Sequence, residues 1–410
     1  MNTRLYLLED RTARDWSPIT ETRPAGEVRF GALLLRERIE RATGLISEGY
    51  LPDDGPPPGA TSGRLLLSAR YLPPLPGESP GTGRPLPPPL PAAPARLVAG
   101  DEQVGWLLPP GDSSTEAAPD AAGDDCTAKI ELPGTTVEAL WDLVAHHPGR
   151  IAGDLRILAR EAGDGADNGR SLPEGVVRLG REPLRISDGV VLDPGAVLDT
   201  RSGPIRLGPG VTVRPHTHLM GPASIGEDTI LLGGIFGSFA CGRSCRLRGE
   251  ISHSILHDGV NKAHDGYLGH SVVGSWVNLG AMTTNSDLKN NYRPVRVGSL
   301  WGEVETGLLK LGVFLGDHVK TGIGTRLGAG TCIGAGTNVF GPGLPRKWIP
   351  PFSWGGGEEF VPYRWEAFVA TAERVMARRG VRLGNEERDR LHRVWIGEHG
   401  PDRARPPGPA

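Results

Sequence analysis

The chain has 410 residues, a formal net charge of −3 and 38% hydrophobic residues. That length holds more than one core, and the near-neutral balance excludes a bulk electrostatic pull toward nucleic acid or anionic membrane. No apolar run reaches the length of about eighteen residues that a spanning helix needs. The opening MNTRLYLLEDRTARDW has no apolar leader core, so no signal peptide is expected either.

From the N-terminus, LYLLED reads as a strand, FGALLLRERIERAT (30–43) as a helix, and RLLLSARYL and ARLVAG as further strands. TTVEALWDLVAHHP (135–148) reads as a short helix starting at a threonine cap. Prolines crowd LPDDGPPPGA (51–60) and LPPLPGESPGTGRPLPPPLPAAPA (72–95), which read as extended, solvated loops. The expectation for 1–180 is a mixed α/β domain carrying Pro-rich insertions. A phosphate-cradling loop would need glycine directly after the first strand, and none occurs before Gly26. Lys129 is the single lysine in the first 261 residues. Both features argue against pyrophosphorylase chemistry, with Arg23 and its neighbours left as the alternative phosphate holders.

A six-residue beat follows. Leu315, Thr321, Leu327, Ile333 and Val339 recur in phase, with Gly316, Gly322, Gly328 and Gly334 after them and Val319, Thr325, Thr331 and Thr337 in a second phase. Ile186, Leu192 and Leu198 keep the same spacing, as do the pairs Ile205 with Val211 and Ile225 with Leu231. The pattern predicts a parallel solenoid over 184–344, three hexads to a coil, each aliphatic turned inward and the glycines serving the corners. TNSDLKNNYRPVRVGSLWGEVETGLLK (284–310) breaks the phase and is expected to loop out, where such insertions build a binding face. Beyond it, 345–410 is expected to be a helical tail. VPYRWEAFVATAERVMARR and the segment 385–396 carry helical spacing, and the tail is expected to pack back on the coils. Cys126, Cys241, Cys245 and Cys332 are too sparse for a disulfide framework and fit reduced thiols in a cytoplasmic protein.

One stretch of the solenoid is chemically unlike the rest. HDGVNKAHDGYLGH (257–270) gathers three histidines, a lysine and two aspartates among apolar hexads. An imidazole with its ordinary pKa of about 6.5 suits proton abstraction from an amine or hydroxyl at neutral pH. Other classes stay open on the residues. A zinc hydratase would need three converging histidines, and the spacings His253–His257–His264–His270 speak against it. A non-catalytic nucleotide-sugar-binding or scaffold protein is the third class.

The stretches LLEDRTARDWSPITETRPAGEVRFG, GEISHSILHDGVNKAHDGYLGHSVVGSWVNLGAMTTNSDLKNNYRPVRV and PRKWIPPFSWG resemble the bifunctional UDP-N-acetylglucosamine diphosphorylase/glucosamine-1-phosphate N-acetyltransferase family, GlmU, in its divergent nucleotidyltransferase-like branch. The resemblance implies a nucleotidyltransferase-like α/β domain, then a left-handed β-helix with acyltransferase activity. It implies His264 as general base. Lys262, Asp265, Tyr267, Asn278, Asn285 and Lys289 would bind substrate, and Gly280 and Ala281 would lie at the coenzyme. It also implies acetyl-CoA as co-substrate, a sugar phosphate or nucleotide sugar as acceptor, a homotrimer, and Mg2+ only where the N-terminal domain is active. No nucleic acid, membrane or resident metal is expected. Met282 stands where the relatives carry glycine, Ser252 and His253 replace a paired-lysine motif, and the G-x-G-T-R loop is missing, so the nucleotidyltransferase half is expected to be degenerate.

Overall fold

The computed structural model describes residues 3–52, 61–78, 86–111, 128–161 and 171–400. Cys126 and much of the two Pro-rich runs lie outside these residues. The chain divides into two compact units, one of residues 1–16 and 24–143, the other of residues 17–23 and 144–410.

The first unit is built on β1 (Thr3–Glu9), α1 (Arg11–Arg14), α2 (Leu35–Thr43), β2 (Ser47–Pro52), β3 (Gly63–Ser68), β4 (Ala95–Ala99), β5 (Glu102–Leu108) and β6 (Ala128–Glu131). Its six strands run in the order β2-β1-β3-β5-β4-β6. β1 pairs parallel with both β2 and β3, whereas β5 runs antiparallel to β3 and β4. Leu5, Tyr6, Leu7 and Leu8, like Leu65, Leu66 and Leu67, are all buried, the signature of strands covered on both faces. The sequence places the start of α2 at residue 30, but Arg29–Phe30 and Leu33–Leu34 form a small antiparallel pair around Gly31, whose φ is 72°. The helix begins after it and ends at Gly44, with φ 69°.

The next helix, α3 (Leu140–Glu161), runs through Pro148, where the sequence reading ends it. Buried Leu143, Val144, Ile151 and Leu155 keep the helical spacing on both sides of the proline. Packing of that stripe outweighs the missing amide.

The second unit is a parallel β-helix. Phe314 pairs with Cys332 and Lys320 with Asn338, so one coil takes three hexads, as the phase predicts. Pairing already includes Val177–Leu179 and reaches Ser353–Gly356. Leu315, Thr321, Leu327, Ile333 and Val339 are all buried, and the wider aliphatic set forms one continuous core through the coils.

Gly316 and Gly334 have a different cause from the corner role expected of them. A Cβ on Gly316 would lie 2.7 Å from the backbone nitrogen of Ala335 in the next coil, so close approach excludes a side chain there. The left-handed corner positions are one phase over, at His318, Gly324, Gly330 and Gly336, with φ between 60° and 76°.

Residues 296–305 leave the stack as an antiparallel hairpin. Helices α4 (Trp365–Ala377) and α5 (Asn385–His399) form the tail. Phe352, Tyr363, Phe368, Val369, Ala372 and Leu391 share a core there, and the Phe368 ring meets His318 of the coil wall edge-on at 5.6 Å.

Candidate active site

The strands Asn261–Lys262 and Tyr267–Gly269 bracket a corner that carries His264 and Asp265, both exposed. Among the described residues the His264 ring makes no hydrogen bond. Its carbonyl, however, accepts from Lys262 Nζ at 2.8 Å, and Arg248 O accepts from the same ammonium at 2.7 Å. Lys262 is thus turned into the coil, 2% exposed, and burial pushes its pKa down to about 8. Asp265 accepts from Arg248 Nε at 3.1 Å.

A second group of polar side chains lies where the 284–310 excursion leaves the stack. Tyr267 Oη donates to Asp287 Oδ2 at 2.5 Å, and His270 Nδ1 reaches the same oxygen at 2.6 Å. Ser252 Oγ lies 3.2 Å from Tyr267 Oη. Burial opposes the charge on Asp287. The bonds from His270 and Tyr267, with the charge of Lys310, outweigh it and hold the carboxyl below its ordinary range. Burial also pushes the Tyr267 phenol up, and the Asp287 charge adds to this.

His253 stacks on His270, ring centroids 4.5 Å apart and planes 6° from parallel. Desolvation, then the neighbouring His270, lowers the His253 pKa. Both histidines have φ near 49°, a left-handed conformation unusual outside glycine. Ser238, Ser244, Trp276 and His318 adopt the same conformation, so it belongs to the coil corners.

Of the remaining sequence-derived residues, Asn285 is buried and ties two coils, donating to Gly269 O and accepting from Gly269 N at 3.1 and 2.9 Å. Lys289 Nζ donates to Pro294 O at 3.3 Å, within the excursion. Gly280 has no room for a Cβ, which would fall 2.6 Å from the Gly322 carbonyl carbon. The Ala281 carbonyl accepts from Gly324 N at 2.8 Å. Met282 is exposed with φ 62°, a position that suits glycine. Asn278 Oδ1 accepts from Asn261 Nδ2 at 2.8 Å on a separate row of the wall.

The structure therefore brings Tyr267 to Asp287 and His270, ties Asn285 to the Gly269 backbone, holds Lys262, His264 and Asp265 at one corner, and sets Asn278 apart. The pairing of His270 with Asp287 is not anticipated from the residues. Its signal was the coil pitch: Ser252 pairs with Gly269, which stacks His253 on His270 one coil above. Among the described residues, the histidines do not gather into a set that could hold a metal ion.

In the first unit, the strand order puts a topological switch point at the carboxyl ends of β1 and β3, where open α/β sheets bind ligands. Asp10 there accepts from Ser68 Oγ at 2.6 Å and from Arg70 Nε at 2.9 Å, and caps α1 through Ala13 N at 2.8 Å. Arg70 also donates to Glu138 Oε1 at 3.0 Å and to Val137 O at 2.7 Å. Glu9 accepts from Ala25 N, and burial raises its pKa to about 7. Arg23 does not serve this unit. Segment 17–23 clusters with the solenoid unit, where Arg23 pairs with Asp317 and donates to Ser275 Oγ at 2.9 Å and His257 Nδ1 at 2.5 Å.

Residues 5–162 match the family model described as sugar nucleotidyl transferase. Curated relatives are named as bifunctional proteins, one of them with both activities spelled out. The chain is 30% identical over 116 residues to the bifunctional sugar-1-phosphate nucleotidylyltransferase/acetyltransferase of Sulfurisphaera tokodaii, a match covering 28% of this chain and 24% of that protein. It is 31% identical over 116 residues to the bifunctional protein GlmU of Methanocaldococcus jannaschii, covering 28% of this chain and 23% of that one. GlmU of Thermus thermophilus matches at 30% over 196 residues, 40% of each chain. The resemblance read from the sequence is thus observed, at modest identity. The matched stretch spans about a quarter of the first two relatives' length.

Proposed function

We propose that the solenoid transfers an acetyl group from acetyl-CoA to an amino-sugar phosphate or nucleotide sugar. The reaction needs a base to take the proton from the acceptor amine or hydroxyl as its nitrogen or oxygen attacks the thioester carbonyl. The C–S bond then breaks and the coenzyme leaves as thiolate, which takes up the proton. In this reading His264 is the base. Lys262 pins its backbone, and Tyr267, Asn278, Asn285, Lys289 and Asp265 stand toward the sugar phosphate, with Gly280 and Ala281 toward the coenzyme. The names of the matched relatives support the reaction class.

The observation that carries acyl transfer in this wall, apart from the choice of His264, is the carboxylate–imidazole–phenol group at Asp287, His270 and Tyr267, at the root of the excursion. It also favours a second assignment of the base. Asp287 orients His270 through Nδ1, the arrangement that leaves the other ring nitrogen as proton acceptor. The discriminating experiment is coenzyme release from acetyl-CoA with glucosamine 1-phosphate, on wild type, His264→Ala and His270→Ala. Loss on the order of 10²–10⁴-fold in one variant names the base. No release in wild type over a panel of amino- and hydroxy-sugar phosphates overturns the reading and leaves a non-catalytic binding or scaffold protein.

The nucleotidyltransferase half is proposed to be degenerate. Asp10 and Arg70 at the switch point are taken up by each other and by Ser68 and Glu138, and Glu9 by a backbone amide. These carboxylates do not fit a magnesium ion, and no step is routed through one. A cytoplasmic homotrimer belongs to the same proposal, on the family resemblance.

A further inference from the structure

The strands of one solenoid wall align Arg246, Asn261, Asn278, Lys320 and Asn338 in one register, coil above coil. Side chains in one register point the same way, so this row is a polar stripe. The C-terminal end of α4 lies over it. Between them is a cleft of about 270 Å³ lined by Asn261, Trp276, Asn278, Lys320, Arg378 and Arg379.

The charge in the cleft is one-sided. Lys320 Nζ donates to the His318 carbonyl at 3.0 Å, and Arg379 Nη2 to Asn261 Oδ1 at 3.5 Å. Among the described residues no carboxylate pairs with Lys320, Arg378 or Arg379. Burial and then the Arg379 charge lower the pKa of Arg246, one rung below Asn261, with Asp228 among the groups that offset this. Burial alone pushes the Lys320 pKa down to about 8. Like charges drawn together out of water destabilise one another unless an anion joins them.

We propose that this cleft is an oxyanion site that takes the phosphate group of a phosphorylated ligand. Two guanidinium forks and an ammonium supply charged donors from two sides, and a guanidinium matches phosphate with paired N–H groups. Asn261 Nδ2 already donates to Asn278 Oδ1, which leaves the Asn278 amide nitrogen to donate into the cleft. The Trp276 indole gives one apolar wall. The volume admits a phosphate with a ring-sized group attached, and the open mouth leaves the rest of a larger molecule outside. Asn278 is common to this cleft and to the acyl-transfer reading, and the two fail separately because occupancy is measured without turnover.

The test is calorimetric titration of the full-length protein, in a phosphate-free buffer, with inorganic phosphate, glucosamine 1-phosphate and coenzyme A. At least one probe binds wild type, and Lys320→Met and Arg379→Gln each weaken it about tenfold or more, with affinity falling as salt rises. The tightest of the three probes identifies the source of the phosphate: free, sugar-borne or coenzyme-borne. Arg378→Gln, at an exposed position, keeps the test decisive should the Lys320 variant not fold by circular dichroism. Binding unchanged in the folded variants, or absent for all three probes, overturns the proposal.

Discussion

His253 and His270 lie face to face in left-handed backbone, one coil apart, with Asp287 at the edge of the second ring. At this scale three substitutions separate architecture from chemistry. Asp287→Asn keeps the shape but removes the charge that Tyr267 and His270 share. The Tyr267 phenol, raised partly by that charge, then titrates at lower pH in an ultraviolet absorbance titration, and an unmoved phenol contradicts the assigned hydrogen bond. Lys262→Met leaves the Arg248 and His264 carbonyls without their donor inside the coil. We expect a loss of about 1–3 kcal/mol in denaturant unfolding. Met282→Gly relaxes a left-handed position and should leave stability within about 1 kcal/mol of wild type, where an ordinary exposed-to-glycine change in a strand destabilises.

The motif around His264 and Tyr267 was legible because residue order carries it. The Asp287–His270 contact was not, since it joins residues in different coils and needs the register. Likewise Lys262 enters as a substrate-binding residue on the resemblance, and only the coil shows its ammonium spent on two backbone carbonyls.

Among the elements, the short segment 17–23 is bonded into the solenoid unit through Glu21 and Arg23. Glu21 accepts from Ala335 N at 2.9 Å and from Ser17 Oγ at 2.7 Å, and burial raises its pKa to about 7. A raised folded pKa means that the native state holds a proton the unfolded state has released. The associated stability is present in full below the unfolded value of about 4.5 and is lost as pH rises through about 7. The difference amounts to at most roughly 3 kcal/mol. Glu21→Gln should flatten the stability profile between pH 4.5 and 7 relative to wild type, and parallel profiles for the two proteins refute the assignment.

Hexad spacing made the solenoid legible because a repeated inward position is a repeated apolar residue. Segment 17–23 carries no such period, and neither do the small pairings that delay α2. Pro148 misled for the opposite reason: a local helix breaker was overruled by an apolar stripe running past it.

For the whole molecule, a mixed α/β unit and a parallel β-helix unit with a helical tail follow from composition and period, but the division of the chain does not. Ser17–Arg23 clusters with the β-helix although it lies among residues of the first unit in sequence. Arg23→Ala leaves Asp317, 12% exposed, without its cation. Removing one partner of a buried pair is expected to destabilise by about 3–5 kcal/mol, read as a lowered unfolding midpoint of the solenoid transition in the full chain. An unchanged midpoint contradicts a stabilising role for the Arg23–Asp317 pair.

The excursion after Asn285 begins and ends on a single rung. Leu288 bridges Lys310, and Leu311 N returns to Asp287 O at 2.8 Å. Beyond that stem the chain meets the coils again, where Gly298 N donates to Gly330 O at 2.9 Å and Lys347 Nζ to Arg296 O at 3.0 Å. The hairpin tip at Leu300 and Trp301 stands exposed, so a change of length or side chain there leaves the scaffold's rise constant and gives ligand preference a place to diversify without refolding the column. The stem itself has no such latitude, because one of its two feet is the acid that grips the imidazole.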